Sequence, residues 1–201
     1  MVWPFLPRDE TPVLRSPRLQ LRGPRPRDYA PWRNLRRDSR DFLKPFEPRW
    51  SEADLTRHVF MARLRRGRQE AAAGTDYNFL IFLIEGRREH LVGGLTLSNI
   101  RRRAAQHVNL GYWMGRSHAG HGLMTEAVGL IVPFAFNTLG LHRIHAAFLP
   151  NNAASRRVLE KNGFHEEGYA ENYLQIDGRW ADHVLFGLTR EQHERQLRPP
   201  R

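Results

Sequence analysis

The 201-residue chain contains no cysteine, which excludes disulfide bonds, thiolate metal ligands and a cysteine nucleophile. It also lacks any apolar run near the length of about 18 residues that spans a bilayer, so we expect no membrane association. The first residues, Met1–Pro7, are broken by proline and carry no small-residue cleavage site, which argues against a signal peptide and favours a cytoplasmic protein. No Gly-Lys-Ser/Thr sequence is present, so a phosphate-binding P-loop is excluded.

Positive charge is the strongest bias of the composition. Lysine and arginine number 32 against 21 acidic residues, which gives a net charge of +11. A field of this sign attracts polyanions, although an arginine-rich composition without any such partner is an open alternative. The arginines fall into separate clusters, such as Arg63–Arg66 and Arg101–Arg103, and no nucleic-acid-binding motif accompanies them. We therefore do not expect sequence-specific recognition of nucleic acid.

Two histidine pairs have the spacing of partial metal sites: His118 with His121, and His142 with His145. The first pair lies in a predicted turn and the second near the start of a predicted strand, and neither has a carboxylate cluster or a cysteine to complete four ligands. The sequence therefore predicts no metal site. A serine hydrolase is also a poor interpretation, because Ser155 has no credible His–Asp relay.

The length suits one domain with a sizeable core. We predict an irregular, proline-broken arm over 1–17, a single domain over 18–189, and a charged, frayed tail over 190–201. Apolar alternation and turn residues predict seven strands, at about 19–22, 77–85, 91–100, 106–114, 143–149, 164–176 and 180–188. Apolar residues at helical spacing predict helices over 26–38, from Ser51 onward, after Gly122 and after Asn152. Pro133 is expected to kink or shorten the third of these helices.

The most informative segment is Gly115–Ala127, where an apolar alternating stretch ends and a helical one begins. Gly120 and Gly122 stand at this junction, and glycine both adopts positive φ and lets a ligand approach the backbone. A helix that starts here exposes unpaired N–H groups at the positive end of its dipole, which is a site for phosphate. Taken alone, the pattern also occurs in many α/β proteins for purely structural reasons.

A second segment, Asn151–Phe164, contains an asparagine cap, a short helix and an Asn-Gly stop. Together the two segments resemble the acetyl-CoA core of the GCN5-related N-acetyltransferases, the GNAT superfamily. Three further stretches, Phe42–Pro48, Leu110–Met114 and Tyr173–His183, resemble its RimJ branch, whose members acetylate the N-terminal alanine of a ribosomal protein. The resemblance runs from about residue 18 to residue 188, nearly the whole chain.

The resemblance implies an α+β GNAT fold. Its mixed, mostly antiparallel sheet would have six or seven strands with helices on both faces, and would splay between the fourth and fifth strands, at 106–114 and 143–149. Acetyl-CoA is then the cosubstrate, and the acetyl group passes directly, in a ternary complex, to the N-terminal α-amine of a protein that begins with Ala or Ser. A ribosomal protein is the implied acceptor, and the basic surface would associate with the ribosome.

The resemblance also assigns the residues that bind acetyl-CoA. Backbone amides of the turn and the helix start would hold the pyrophosphate: Gly120, His121, Gly122, Leu123, Met124 and Thr125. The amide of Trp113 or Met114 would face the thioester carbonyl. Asn152 would bond the pantetheine amide in addition to capping its helix, and Ser155 would bond the sulfur.

The catalytic groups depart from the family pattern. The tyrosine that often protonates the leaving thiolate is replaced by Leu159, which leaves Ser155 as the nearest hydroxyl. The strand position where some members carry a basic glutamate holds Asn109. Because an α-amino group has a pKa near 7.7–8.0, a water held by polar groups would serve as the base. Weaker candidates for a direct base are His107, Glu47, Glu171 and Tyr173, and Glu47 could instead pair with the incoming ammonium.

We expect aromatic side chains to line the acceptor groove, namely Phe42, Phe46, Trp50, Tyr77 and Tyr173. Two other functions remain open. One keeps acetyl-CoA and changes the acceptor to a polyamine, an aminoglycoside or an amino acid. The other is a catalytically weak module that docks on the ribosome through its charge.

Overall fold

The computed structural model describes residues 11–198, in which one eight-stranded sheet is flanked by helices. The strands are β1 Leu14–Arg15, β2 Leu19–Arg22, β3 Tyr77–Glu85, β4 Arg88–Arg101, β5 His107–Met114, β6 Arg143–Phe148, β7 His165–Ile176 and β8 Arg179–Thr189. The helices are α1 Tyr29–Asp38, α2 Arg40–Leu43, α3 Arg57–Ala73, α4 Leu123–Pro133, α5 Ala153–Lys161 and α6 Arg190–Leu197. None of the helices within this range has the length and apolar content needed to cross a membrane.

The strands lie in the order β1-β2-β3-β4-β5-β6-β8-β7. Each neighbouring pair is antiparallel except β5 and β6, which run parallel. The prediction of a mixed, mostly antiparallel sheet is therefore confirmed. The strand beyond the predicted seven is Leu14–Arg15, which pairs with β2 through Leu14 opposite Leu21. These two residues belong to the predicted arm, whose first ten residues lie outside the described residues.

The sheet opens between β5 and β6. Their parallel pairing covers three positions and ends where Asn109 lies opposite His145. Beyond that point β5 continues on β4 as far as Met114, while β6 continues on β8 as far as Phe148. The two strands separate because each keeps a different partner. The splay predicted between 106–114 and 143–149 is confirmed.

Both faces of the sheet are covered, as the central strand β3 shows. Phe79 and Ile81 belong to a large core with residues of α4 and α5, whereas Leu80 and Phe82 pack in a second core with residues of α1 and α3. Successive side chains of a strand point to opposite faces, so four consecutive apolar residues fill two separate cores. Helices therefore lie on both faces of the sheet, as expected.

Pro133 ends the regular part of the helix that follows the glycine turn. Proline has no N–H to donate and its ring crowds the preceding turn. The chain continues as a π turn over Phe134–Thr138, closed by a bond of 3.0 Å from the Leu139 amide to the Phe134 carbonyl. The expectation that Pro133 would shorten its helix is confirmed.

The segment after β8 corrects the prediction of a frayed tail over 190–201. Residues 190–197 form the helix α6, and 199–201 lie outside the described residues. Thr189 and Gln192 form a reciprocal capping box, in which the Gln192 amide donates to the Thr189 hydroxyl and the Thr189 amide donates to the Gln192 side chain. The prediction followed the high charge of this segment and overlooked the Thr189–Gln192 capping box, which defines a helix start.

Candidate active site

The glycine turn between β5 and α4 presents free backbone donors. Gly120 has φ of 82° and Gly122 has φ of 75°, both in the left-handed region that favours glycine. The first hydrogen bond of α4 runs from the Glu126 amide to the Gly122 carbonyl. Within residues 11–198, the preceding amides find no protein acceptor, namely those of Gly120, His121, Gly122, Leu123, Met124 and Thr125. Such a cluster at a helix N-terminus suits a phosphate group.

A cleft of about 250 Å³ extends from this turn along the end of β5 to the start of α5. It is lined by most of the residues predicted to bind acetyl-CoA: Trp113, Met114, Gly120, Gly122, Leu123, Met124, Thr125, Asn152 and Ser155. The predicted residue outside this lining is His121. Arg157 and Lys161 from α5 also border the cleft, and their charge favours an anionic ligand. We call this space the donor cleft.

Asn152 caps α5 in the predicted manner. Its side-chain oxygen accepts a hydrogen bond of 3.0 Å from the Ser155 amide. The other side-chain atom, the Asn152 Nδ2 donor, has no acceptor among residues 11–198 and belongs to a residue that lines the cleft. The cap therefore leaves Asn152 with a donor for a ligand, as the sequence interpretation requires.

Ser155 is paired with a tyrosine that the sequence analysis did not single out. The hydroxyl oxygens of Ser155 and Tyr112 are 2.7 Å apart, and both residues line the donor cleft. Burial raises the pKa of Tyr112 to about 12, so its hydroxyl keeps its proton at neutral pH. Leu159 is buried in the core against which Tyr112 packs. The period-two pattern of β5 places Tyr112 on the face that α5 covers, and this signal was available in the sequence.

A second cavity, of about 650 Å³, opens where β5 and β6 separate. Asn109 and Leu110 of β5 line it, as do Ala146 and Ala147 of β6. Because neighbouring strand residues point to opposite faces, a cavity lined by both members of each pair reaches into the gap between the strands. Tyr173 of β7 also lines this space, which we call the splay cavity.

Glu47 lines neither space, and contacts within the protein engage its carboxylate. Its carboxylate accepts two hydrogen bonds from the Arg36 guanidinium, of 2.7 and 2.5 Å, and a third of 3.0 Å from Trp50 Nε1. The Glu47 carbonyl accepts from the Asp177 amide in the β7–β8 turn. These contacts hold the 44–50 loop in place. The sequence could not reveal that Arg36, on a separate helix, takes both oxygens.

The aromatic residues predicted to line the acceptor groove fall into different places. Tyr173 lines the splay cavity, whereas Phe42 lines the donor cleft. Trp50 lies under the Arg36 guanidinium in the loop contacts, and Phe46 is exposed and lines neither space. Tyr77 packs against Phe134 of the core, with ring centroids 5.4 Å apart. Tyr77 was misassigned because its strand position turns it toward α4 and the π turn.

Comparisons with known proteins agree with this geometry. The family model described as an acetyltransferase (GNAT) domain matches residues 18–165. The chain is 37% identical over 160 residues to "Probable N-acetyltransferase YjcK" of Bacillus subtilis, covering 80% of this chain and 87% of that protein. It is 35% identical over 176 residues to the ribosomal protein uS5-alanine N-acetyltransferase of Escherichia coli, covering 88% and 90%. The solved structure of Mycobacterium smegmatis RimJ in complex with CoA-disulfide matches with a TM-score of 0.83 at 34% identity, covering 92% of this chain and 89% of that one.

Proposed function

Because the chain belongs to the acetyltransferase (GNAT) family, we propose that it transfers the acetyl group of acetyl-CoA to the N-terminal α-amine of a protein. A ribosomal protein with N-terminal alanine or serine is the acceptor, in line with the Escherichia coli relative named for uS5-alanine acetylation. The observation that carries the proposal is that two spaces lie next to each other along β5. Tyr112, Trp113 and Met114 line the donor cleft, and Asn109, Leu110 and Gly111 line the splay cavity beside the β5–β6 gap.

The residues of the donor cleft fit acetyl-CoA, which supplies an acetyl group activated as a thioester. The free amides of the glycine turn suit its pyrophosphate, and Arg157 and Lys161 add positive charge. The unpaired Asn152 Nδ2 offers a donor to the pantetheine arm. These contacts come largely from the backbone, so they depend little on which side chains the turn carries.

The amide of Met114, rather than that of Trp113, is the donor that faces the gap. The Gly115 amide bonds to the Val92 carbonyl on β4 at 2.8 Å. Backbone amides alternate sides along a strand, so the Trp113 amide also turns toward β4 and the Met114 amide turns away from it. We therefore assign Met114 to the polarisation of the thioester carbonyl.

Ser155 and Tyr112 serve the departing sulfur. If the Tyr112 hydroxyl donates to Ser155 Oγ, the Ser155 hydrogen is free to point into the cleft. Ser155 can then pass a proton to the thiolate and regain one within the site. A thiol is a good leaving group, so this weak donor suffices in place of the missing tyrosine at Leu159.

The net charge of +11 affects which acceptors the protein encounters. We propose that this charge favours encounter with the ribosome, which is a large polyanion, and that the reaction therefore takes place in the cytoplasm. An acceptor that is itself strongly cationic, such as a polyamine, would be repelled by the same field.

Acetyl-CoA turnover on a panel of amines tests the proposed function. The panel contains peptides with free N-terminal Ala or Ser, N-blocked lysine peptides and spermidine, and mass spectrometry locates the added acetyl group. Acetyl on a free peptide terminus alone supports the proposal. Transfer to lysine or spermidine alone would replace the acceptor while keeping the donor, and acetyl-CoA binding without turnover on any amine would favour the docking module.

Replacing Gly120 by alanine tests the backbone cradle. An L-residue with φ in the left-handed region costs about 1–2 kcal/mol. The turn of the variant therefore either changes its backbone conformation or retains this strain. The added methyl group itself projects into open space. We expect the dissociation constant of acetyl-CoA to rise about tenfold, measured by calorimetry. The matched control is Gly74→Ala, because Gly74 has φ of 68°, also meets open space and ends α3 away from the cleft. Equal acetyl-CoA affinity in both variants would contradict the cradle.

A further inference from the structure

The splay cavity contains a cluster of polar side chains to which the proposed function assigns no step. His107 and His145 stack edge to face, with ring centroids 4.9 Å apart. His145 Nδ1 lies 3.9 Å from a carboxylate oxygen of Glu167, whose other oxygen accepts from Arg143. Asn109 stands opposite His145 in the last paired position of β5 and β6. All of these except Arg143 line the cavity, so a ligand in it meets two imidazoles.

The position of His145 distinguishes it from the other candidate bases. It lies at the rung where the strands begin to separate, whereas His107 pairs opposite Arg143 at the far end of the paired stretch. Its side chain is 36% exposed, so a ligand in the splay cavity can reach it. The Glu47 carboxylate already accepts hydrogen bonds from Arg36 and Trp50. The side chain of Asn109 is an amide, which is not a base.

We propose that His145 accepts the proton of the acceptor ammonium, with the Glu167 carboxylate 3.9 Å from Nδ1 as its electrostatic partner. The assignment rests on the proposed transfer to an amine and names the residue that makes this amine nucleophilic. Nδ1 faces Glu167, which leaves Nε2 to receive the proton. Arg143 forms an ion pair with Glu167 and so acts as a positioning residue.

The charges around His145 favour its neutral form. Burial lowers the pKa of His145, and the nearby His107 on β5 and Arg143 on its own strand lower it further. Glu167 on β7 acts in the opposite direction, and β8 places the uncharged Gly187 opposite His145. The imidazole is therefore neutral at neutral pH and able to accept a proton, while an α-amine is largely protonated there.

The ammonium nitrogen loses two protons during the transfer. One proton of the ammonium moves to His145 Nε2 and is later released to solvent. The freed nitrogen forms its bond to the acetyl carbonyl carbon while the carbon–sulfur bond breaks. The second proton that this nitrogen loses ends on the departing sulfur, by way of the Ser155 hydroxyl. The products are an N-acetylated terminus, the free thiol of CoA and one solvent proton.

The pH dependence of kcat/KM for an N-terminal alanine peptide tests the assignment, with saturating acetyl-CoA. In the wild-type enzyme the acid limb is expected below pH 6.5. In His145→Gln it moves up toward the α-amine pKa near 7.7–8.0, so that activity at pH 6.5 falls about tenfold. At pH 9 the amine is already neutral and the variant recovers to within about twofold of wild type. A merely structural role would lower activity equally at both pH values.

His107→Gln is the matched control, since it removes the neighbouring imidazole from the same cavity. It is expected to keep the low acid limb, shifted slightly upward because one repulsive neighbour of His145 is gone. An unchanged acid limb in His145→Gln, an equal loss at pH 6.5 and 9, or loss of the limb in His107→Gln alone would overturn the assignment. Wild-type turnover on the peptide, measured first, tests the proposed function separately, and its absence on every amine would overturn both.

A readout without turnover uses the substrate-free protein. NMR titration of the His145 imidazole, identified by its loss in His145→Gln, is expected to give a pKa below the ordinary 6.5 and a higher value in His107→Gln. A His145 pKa above 6.5 would contradict the electrostatic basis of the assignment. Acetyl-CoA affinity should be unchanged in both variants, because neither residue lines the donor cleft.

Discussion

Replacing Ser155 by alanine is expected to lower kcat about 100-fold, because general acid assistance contributes factors of this order. The Ser155 hydroxyl lines the donor cleft and is held 2.7 Å from the Tyr112 hydroxyl. The KM for acetyl-CoA should change by no more than about threefold, because the lost hydrogen bond acts on the sulfur as it departs. Steady-state kinetics on an N-terminal alanine peptide measure both constants.

Tyr112→Phe separates the two members of this pair. It keeps the ring, removes the hydroxyl that orients Ser155, and is expected to lower kcat about tenfold. The double variant should be no slower than Ser155→Ala, because Tyr112 acts through Ser155 and effects within one unit are not additive. Additive losses would show that Tyr112 reaches the sulfur independently. Full activity of Ser155→Ala would remove the pair from the mechanism.

Replacing Glu47 by glutamine is expected to lower the free energy of unfolding by about 2 kcal/mol, since hydrogen bonds to charged groups are worth about 1.5–3 kcal/mol. The Arg36 and Glu47 side chains are 12% and 16% exposed, so the guanidinium would lose its counter-charge in a partly dry site. The same guanidinium lies over the rings of Trp50 and Trp113, which connects the loop to the donor cleft. Urea denaturation measures the loss.

Glu52→Gln provides the matched control for Glu47. Glu52 pairs with Arg40 at the surface, with side chains 57% and 43% exposed, and such pairs contribute at most about 1 kcal/mol. The shape of the pH–rate profile should be the same in both variants, because neither carboxylate exchanges protons with the acceptor. A Glu47→Gln variant with wild-type stability and a lost acid limb would restore Glu47 as the base.

Local signals made much of the fold predictable. The glycine turn and the Asn152 cap each depend on a few neighbouring residues, and the structure forms both. The alternation of β5 and β6 located both strands. The splay between them was predicted from the resemblance of several such segments, in sequence, to one family.

Contacts between distant residues account for what the sequence did not predict. Tyr112 and Ser155 are 43 positions apart, and only the packing of α5 on β5 brings their hydroxyls together. Glu47 looked available because Arg36 precedes it by 11 residues on a separate helix. The direction of Tyr77 depends on which face of β3 meets α4. In each case a side chain acquired its role from a partner that local patterns do not identify.

We propose that donor and acceptor meet through the β5–β6 gap, with transfer in one ternary complex. A bisubstrate analogue tests it most directly, with the N-terminal nitrogen of an alanine peptide joined through an acetyl linker to the sulfur of CoA. Calorimetry compares its dissociation constant with that of CoA measured in the presence of the unlinked peptide. Joining two ligands that bind together raises affinity by about 10²–10⁴, so we expect the dissociation constant of the analogue to be at least about 100-fold lower. An analogue that binds no more tightly than CoA would contradict it.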